Sequence, residues 1–410
     1  MTPAVSPVGG SPDRDCLERD DRALASPSSP TRTIGLAAIR STLPLLVSSW
    51  VAARVLTFLA LAAVVQLGVA QSSHPTLNIW DADNYQRIAG QGYSAALIRF
   101  FPLFPLVIRA VRWVLPLSPP GAALLIANVA ALGYAAALWL LIRSHVEPTL
   151  TGTNGIAGSA GIVASEGIAG SAVWLTVLAP TGFVLVLGYS EALFGLLAVL
   201  VFILLHRRHF AWAALFGLLA GLARPVGLLL AVPAAVEALQ AWRSARFSGK
   251  AWSVLPVLAP IGGCAAYLGW VASAYGNPLL PFTDQVYGPR ASFLADPLTP
   301  LHHSLVALIH GTDPVSILHL PVALLFVALL VISARRLPWS YTAFGAVMLV
   351  AALTARTLDS LERYCYSDFP LVIALALCTR RRTAILLAVG ISAGLLVFYA
   401  VLTLTGHYTP

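Results

Sequence analysis

From about residue 43 onward the chain is a succession of apolar runs, many of them close to the length that crosses a bilayer, separated by short clusters of arginine. Backbone polar groups find no water in hydrocarbon, so such runs are stable there only as helices. This restricts the chain to an all-α fold, a polytopic transmembrane helical bundle. Composition agrees: 58% of the residues are hydrophobic and 10% charged. That balance excludes a disordered chain, a nucleic-acid-binding domain and a secreted disulfide scaffold, each of which needs more charge, polarity or cysteine. The runs lie near 43–70, 121–142, 173–188, 191–206, 210–222, 226–240, 252–274, 315–334, 338–356, 366–379 and 383–405, and predict about eleven spanning helices. Proline at Arg224-Pro225 makes the flanking pair readable as one broken helix.

The net charge of +8 reflects arginine, since Lys250 is the only lysine. The arginines mark topology, with no nucleic-acid-binding face. Arg40, Arg143, Arg207-Arg208, Arg243 with Arg246 and Lys250, Arg335-Arg336 and Arg380 to Arg382 fall on alternate loops, which are then cytoplasmic. Asp81, Asp83, Asp284, Asp296, Asp313, Asp359, Glu362 and Asp368 fall on the opposite, outer side. The expected organisation is a disordered cytoplasmic tail over 1–42, a transmembrane module over 43–240 that includes an outer loop at 71–120, and further helices over 241–410 with an outer loop at 275–314. No signal peptide is expected, and the amino terminus lies inside with the carboxyl terminus outside. Around 107–117 an apolar pattern broken by Arg109 and Arg112 predicts an interfacial helix, a full span with snorkelling arginines being the alternative. The stretch 152–172, with GIAGSA twice, reads as a linker or a small-residue packing surface.

Four polar constellations interrupt this pattern. Trp80 to Ala89 places Asp81 and Asp83 with Tyr85 and Arg87 directly after the first helix. A carboxylate there suits a general base toward a hydroxyl substrate, with Trp80, Tyr85 and Arg87 as candidate substrate contacts. Two residues apart on a helix, Asp81 and Asp83 cannot share a face, so at most one enters a given site. The same residues also read as an interfacial aromatic belt with solvated acids. Tyr189-Ser190-Glu191 sits at a turn, where Glu191 serves either a site or a helix cap. Arg224, at a helix break in apolar surroundings, requires an anionic partner. Glu362-Arg363-Tyr364 reads most simply as an exposed ion-pair loop. Arg54, inside the first helix, is expected to bond helix carbonyls. The scattered cysteines and the adjacent His302 and His303 form no metal-ligand pattern, so no metal site and no cofactor are expected.

In order along the chain, Trp80-Asp81, Ile88-Ala89, Gly92-Tyr93, Phe101 to Leu106, Tyr189 to Phe194 and Ala223 to Gly227 resemble the signature of the GPI mannosyltransferase 2 (PIG-V) family and its bacterial relatives. The resemblance covers about 45–240 and continues weakly at Tyr275 to Pro278 and Arg363-Tyr364. It implies an integral-membrane glycosyltransferase of the GT-C class, with interfacial helices in the first outer loop. Its donor would be polyprenyl-phosphate-mannose, and its acceptor a lipid or glycan at the outer face of a bacterial cell membrane. Asp81 is implied as the catalytic base, with Asp83 second, and Tyr189, Glu191 and Arg224 as further site residues. Arg224 and Arg363 are candidates to stabilise the leaving phosphate, and Tyr364, next to Arg363, is a further candidate substrate contact. The readings from other classes are a lipid-linked sugar transporter or flippase and a non-catalytic partner of such an enzyme.

Overall fold

The computed structural model describes residues 36–70, 77–154, 167–244, 247–287, 296, 298–311, 314–354 and 361–408. Regular secondary structure among them is entirely helical. The chain opens with α1 (Leu36–Gln66), α2 (Asp81–Gln91) and α3 (Leu103–Val114). Next come α4 (Pro119–Leu141), α5 (Glu147–Asn154), α6 (Gly167–Val177), α7 (Glu191–His206), α8 (Phe210–Ala223) and α9 (Ala231–Ser244). After these lie α10 (Phe247–Tyr275), α11 (Leu280–Tyr287), α12 (Leu298–His310), α13 (Pro314–Arg336) and α14 (Trp339–Leu353). The last elements are α15 (Leu361–Ser367), α16 (Phe369–Cys378) and α17 (Arg382–Leu404).

Among the described residues, six segments are long and apolar enough to cross a membrane: Arg40–Gln66, Pro119–Leu150, Pro225–Arg243, Ala251–Tyr275, His319–Arg336 and Arg382–Leu404. Their outward faces confirm the environment. On α1 the exposed residues Leu43, Val47, Val51, Val55 and Leu59 recur every four positions, a stripe of large apolar side chains along one side of the helix. A water-facing helix would carry polar groups there, whereas lipid accepts this face without cost. The protein is therefore membrane-embedded.

The other five expected spans are shorter helices. The longest of them, α7, has 16 residues, or about 24 Å at 1.5 Å per residue, against a hydrocarbon core of about 30 Å. The segment expected over 173–188 instead stops at Val177, turns through Ala179-Pro180-Thr181 and continues as a 3₁₀ turn, Gly182–Leu185. Pro180 cannot donate to a continuing helix. The segment expected over 366–379 is divided at Asp368 between α15 and α16.

Boundaries differ at three further places. Helix α1 starts at Leu36, seven residues into the expected tail, whose residues 1–35 lie outside the described set. Of the stretch 152–172, read as a linker or a small-residue packing surface, 152–154 end α5 and 167–172 begin α6, with 155–166 outside the described set. Of the expected loop at 275–314, α11 and α12 are helical and 288–295, 297 and 312–313 lie outside that set, as does Asp359. The interfacial reading fits α3 better than the alternative of a full span, because its 12 residues reach only about 18 Å. It buries Phe104, Pro105 and Ile108 while Leu106, Trp113 and Val114 stay exposed.

Close helix approach holds the middle of the bundle together. A Cβ on Gly221 of α8 would run into the Pro260 carbonyl of α10, and one on Gly263 of α10 into the Leu218 carbonyl of α8. Lipid provides little hydrophobic drive between helices, so close packing of this kind carries much of their association. Arg54 bonds as expected. Its Nη1 and Nη2 donate to the carbonyls of Trp50 and Leu185, each at 3.1 Å, and its Nε donates to Asn128 Oδ1 at 2.8 Å.

Candidate functional site

Local backbone rules bring four distant segments to one end of the bundle. Asp81 opens α2, where the helix dipole favours a carboxylate. Entry into α2 is abrupt, because Trp80 has φ 54°, a left-handed conformation that bulky side chains rarely adopt. The buried face of α2 carries Ala82, Tyr85, Gln86, Ile88 and Ala89. Glu191 opens α7 after Ser190. Arg224 stands between α8 and a 3₁₀ turn, Pro225–Leu230, with φ −155° and ψ 154°. Proline disfavours helical geometry in the residue before it, so Pro225 ends α8 and leaves Arg224 extended. Arg363 lies in the middle of the short helix α15.

These side chains form one buried ion network. Arg224 Nη1 and Arg363, through both Nε and Nη2, donate to the same oxygen of Glu191, Oε1. Arg363 Nη2 also donates to Asp81 Oδ2 at 2.8 Å. Aromatic rings flank the cations: the Arg363 guanidinium carbon is 5.1 Å from the Tyr189 ring centre and that of Arg224 is 5.7 Å from the Tyr364 ring centre. Tyr85 Oη and Ser190 Oγ share a hydrogen bond of 2.8 Å, and Arg224 Nη1 approaches the same Ser190 oxygen at 3.5 Å. Tyr189 Oη donates to the Ile79 carbonyl at 3.3 Å, tying the turn before α7 to the entry of α2.

Burial alone would depress the Arg363 guanidinium, but Glu191 and Asp81 more than offset it and hold Arg363 well above the usual arginine range. Burial pushes the phenols of Tyr85 and Tyr189 up, so both remain neutral hydrogen-bonding groups. Glu191 is nearly inaccessible, with 1% of its side chain exposed, while Asp81 retains 18%. The reachable carboxylate is Asp81, with a cationic wall behind it. Such a pairing can accept a proton from a substrate and receive an anion alongside.

Of the candidate residues, Asp81, Tyr85, Tyr189, Glu191, Arg224, Arg363 and Tyr364 come together. Trp80 adjoins them, with its buried indole N–H unpartnered among the described residues. Asp83 and Arg87 do not join. Both are exposed, because the face of α2 defined by Ala82, Tyr85, Gln86 and Ala89 turns them outward. Glu191 is an ion-pair centre more than a cap, and the reading of Glu362-Arg363-Tyr364 as an exposed loop is overturned. Glu362 and Arg363 are buried, Tyr364 partly so, all within α15.

Glu362 belongs to a second cluster that the sequence reading missed. His319 Nδ1 stands 2.7 Å from its Oε1, and Tyr399 Oη and Tyr408 Oη donate to its carboxylate at 3.2 and 3.3 Å. The Thr181 hydroxyl donates to the Glu362 carbonyl at 3.4 Å. These contacts pin one side of α15 to α13, α17 and the segment that follows α17, while Arg363 extends from the neighbouring position toward Glu191 and Asp81. A histidine within the apolar run of α13 was the available signal. Ser190 was missed too, although it lies between Tyr189 and Glu191. Among the described residues, no group of three or more His, Cys, Asp or Glu side chains stands together as metal ligands.

Asp368, expected in an outer loop, is also buried, and neither carboxyl oxygen has a hydrogen-bond partner among the described residues.

No protein-family model matches the chain, and no curated protein matches it either.

Proposed function

We propose that the protein is a membrane glycosyltransferase of the GT-C class that moves a sugar, mannose by family resemblance, from a polyprenyl-phosphate carrier to a lipid or glycan acceptor. The observation that carries this reading is the bridge made by Arg363. It places a reachable carboxylate, Asp81, directly against a cationic pair built from residues far apart in sequence. An inverting displacement uses both parts. Asp81 accepts the proton of the acceptor hydroxyl as that oxygen attacks the anomeric carbon. The bond from that carbon to the phosphate oxygen breaks, and its electron pair leaves with the polyprenyl phosphate. Arg224 and Arg363 stabilise the departing charge.

The surroundings suit a lipid-linked donor. The lipid-facing sides of the helices keep a polyprenyl chain in hydrocarbon, and α3 lies close to the candidate site with apolar residues exposed. In this reading the arginine-rich loops lie on the cytoplasmic side, and the site then faces the outside of a bacterial cell membrane. In the same reading, the five shorter apolar helices complete an eleven-segment bundle together with the six long ones.

Donor class tests the proposal. Purified protein in nanodiscs, given a bacterial lipid extract as acceptor, is expected to transfer label from polyprenyl-phosphate-mannose and not from GDP-mannose. Transfer from the nucleotide sugar in the absence of polyprenyl phosphate would contradict it. So would binding of the lipid-linked donor with no transfer to any acceptor fraction, the outcome expected of a carrier.

A further inference from the structure

One oxygen of the base assigned to the reaction, Oδ2, is occupied in this structure. Asp81 Oδ2 accepts a hydrogen bond from Arg363 Nη2 at 2.8 Å, and the same guanidinium reaches Glu191 with its Nε and Nη2. A lone pair engaged by a guanidinium is a poor acceptor for a substrate proton. Resting on the glycosyl-transfer reading, we propose that the phosphate of the donor displaces Asp81 from Arg363, so that binding of the phosphate anion unmasks the catalytic base.

The two carboxylates of the network differ in a way that decides which one yields. Glu191 is held through Oε1 by both arginines, with 1% of its side chain exposed. Moving it would strand two buried cations, a larger penalty than releasing a partly exposed carboxylate. Asp81 is 18% exposed and contacts the network through Arg363. It can leave that nitrogen and be solvated at once. Arg224 and Arg363 face Asp81 and Glu191, so the formal charges of these four groups cancel. A phosphate entering beside them adds negative charge, and this favours departure of the more mobile carboxylate. The anchoring of Glu362 by His319, Tyr399 and Tyr408 holds α15 still during the exchange, so that Arg363 changes partner while its backbone stays in place.

The consequence is an order of events. Without a donor, Oδ2 of Asp81 is paired with Arg363 and is not open to a hydroxyl. With a phosphate on Arg363, Asp81 is free beside the anomeric carbon. Acceptor activation therefore follows donor binding.

The test measures anion binding, not transfer. Full-length protein in phosphatidylcholine nanodiscs is titrated with undecaprenyl phosphate and, separately, with inorganic phosphate, for wild type, Asp81→Asn, Asp83→Asn and Arg363→Gln. Removing the competing carboxylate is expected to tighten undecaprenyl phosphate binding by roughly ten- to a hundredfold, the scale of one hydrogen bond to a charged group. Asp83→Asn should bind as wild type does and Arg363→Gln should bind much more weakly. Melting curves confirm that each variant is folded, and Arg363→Lys, which keeps the charge, should recover part of the binding lost in Arg363→Gln. Equal or weaker binding by folded Asp81→Asn would overturn the displacement, and transfer activity in wild type would then leave the glycosyltransferase reading standing. If no form binds the lipid phosphate, that reading falls together with the displacement. If inorganic phosphate alone shows the tightening, the displacement holds and the lipid-linked donor is wrong.

Discussion

Replacing Asp81 by Asn is expected to lower glycosyl transfer by about 10²–10⁴-fold, the usual contribution of a positioned general base, with little change in melting temperature. The amide is nearly isosteric and still presents an oxygen to Arg363 Nη2, which keeps a neutral and weaker form of the contact now made at 2.8 Å. It cannot take up the acceptor proton. The loss should therefore appear in kcat, with donor binding tightened. Asp83→Asn is the informative companion. Asp83 lies on the exposed side of α2, away from Tyr85 and the ion network, so its loss should leave transfer near the wild-type rate. Steady-state rates with polyprenyl-phosphate-mannose check both variants. An Asp81→Asn protein as active as wild type would remove Asp81 from the mechanism.

A second large effect is expected at Glu191, this time on stability. Glu191→Ala leaves Arg224 and Arg363 buried side by side without the carboxylate that both of them bond. Removing one partner from a buried ion pair typically costs about 3–5 kcal/mol, because the remaining charge stays desolvated. Here two charges of the same sign remain. The variant should melt well below wild type, and Glu191→Gln, which still offers an oxygen acceptor, should fall between them. Adding Arg224→Met to Glu191→Ala removes one stranded charge, so the double variant should regain part of the lost stability. Unfolding in detergent reads all four proteins, and a double variant less stable than Glu191→Ala would argue against charge stranding as the cause.

Much of the bundle was legible because hydrophobic length is a local property. Segments around 43–70, 121–142, 252–274 and 383–405 stand out by composition alone, and long helices lie there. The shortfall came where a run was apolar but internally broken. Nothing in the apolar count of 173–188 shows that Pro180 ends the helix and that a 3₁₀ turn follows, yet this break places Tyr189 and Glu191 at the mouth of α7.

At the site, residues in compact motifs were readable, and helical geometry correctly allowed only one of Asp81 and Asp83 to face inward. It could not say which, since that depends on α2 packing Tyr85 and Ile88 against Phe104 and Ile108 of α3, and against α4. Glu362-Arg363 was misread because charge in a short interruption between apolar runs looks like a solvated loop. Its burial becomes intelligible only with its partners in place. Arg363 meets Asp81 across 282 positions of sequence, and Glu362 draws on His319, Tyr399 and Tyr408 from three separate segments. Pairing over such distances leaves no periodic trace in one sequence.

The central claim is that a lipid-linked sugar reacts between Asp81 and the arginine pair. Its most direct test is the structure of the protein in nanodiscs with an intact polyprenyl-phosphate-mannose analogue bound. The account predicts the phosphate within hydrogen-bond distance of Arg363 and Arg224, the anomeric carbon facing Asp81, and the Asp81–Arg363 contact broken. An analogue seated elsewhere on the bundle, with the Asp81–Arg363–Glu191–Arg224 network unchanged, would contradict it.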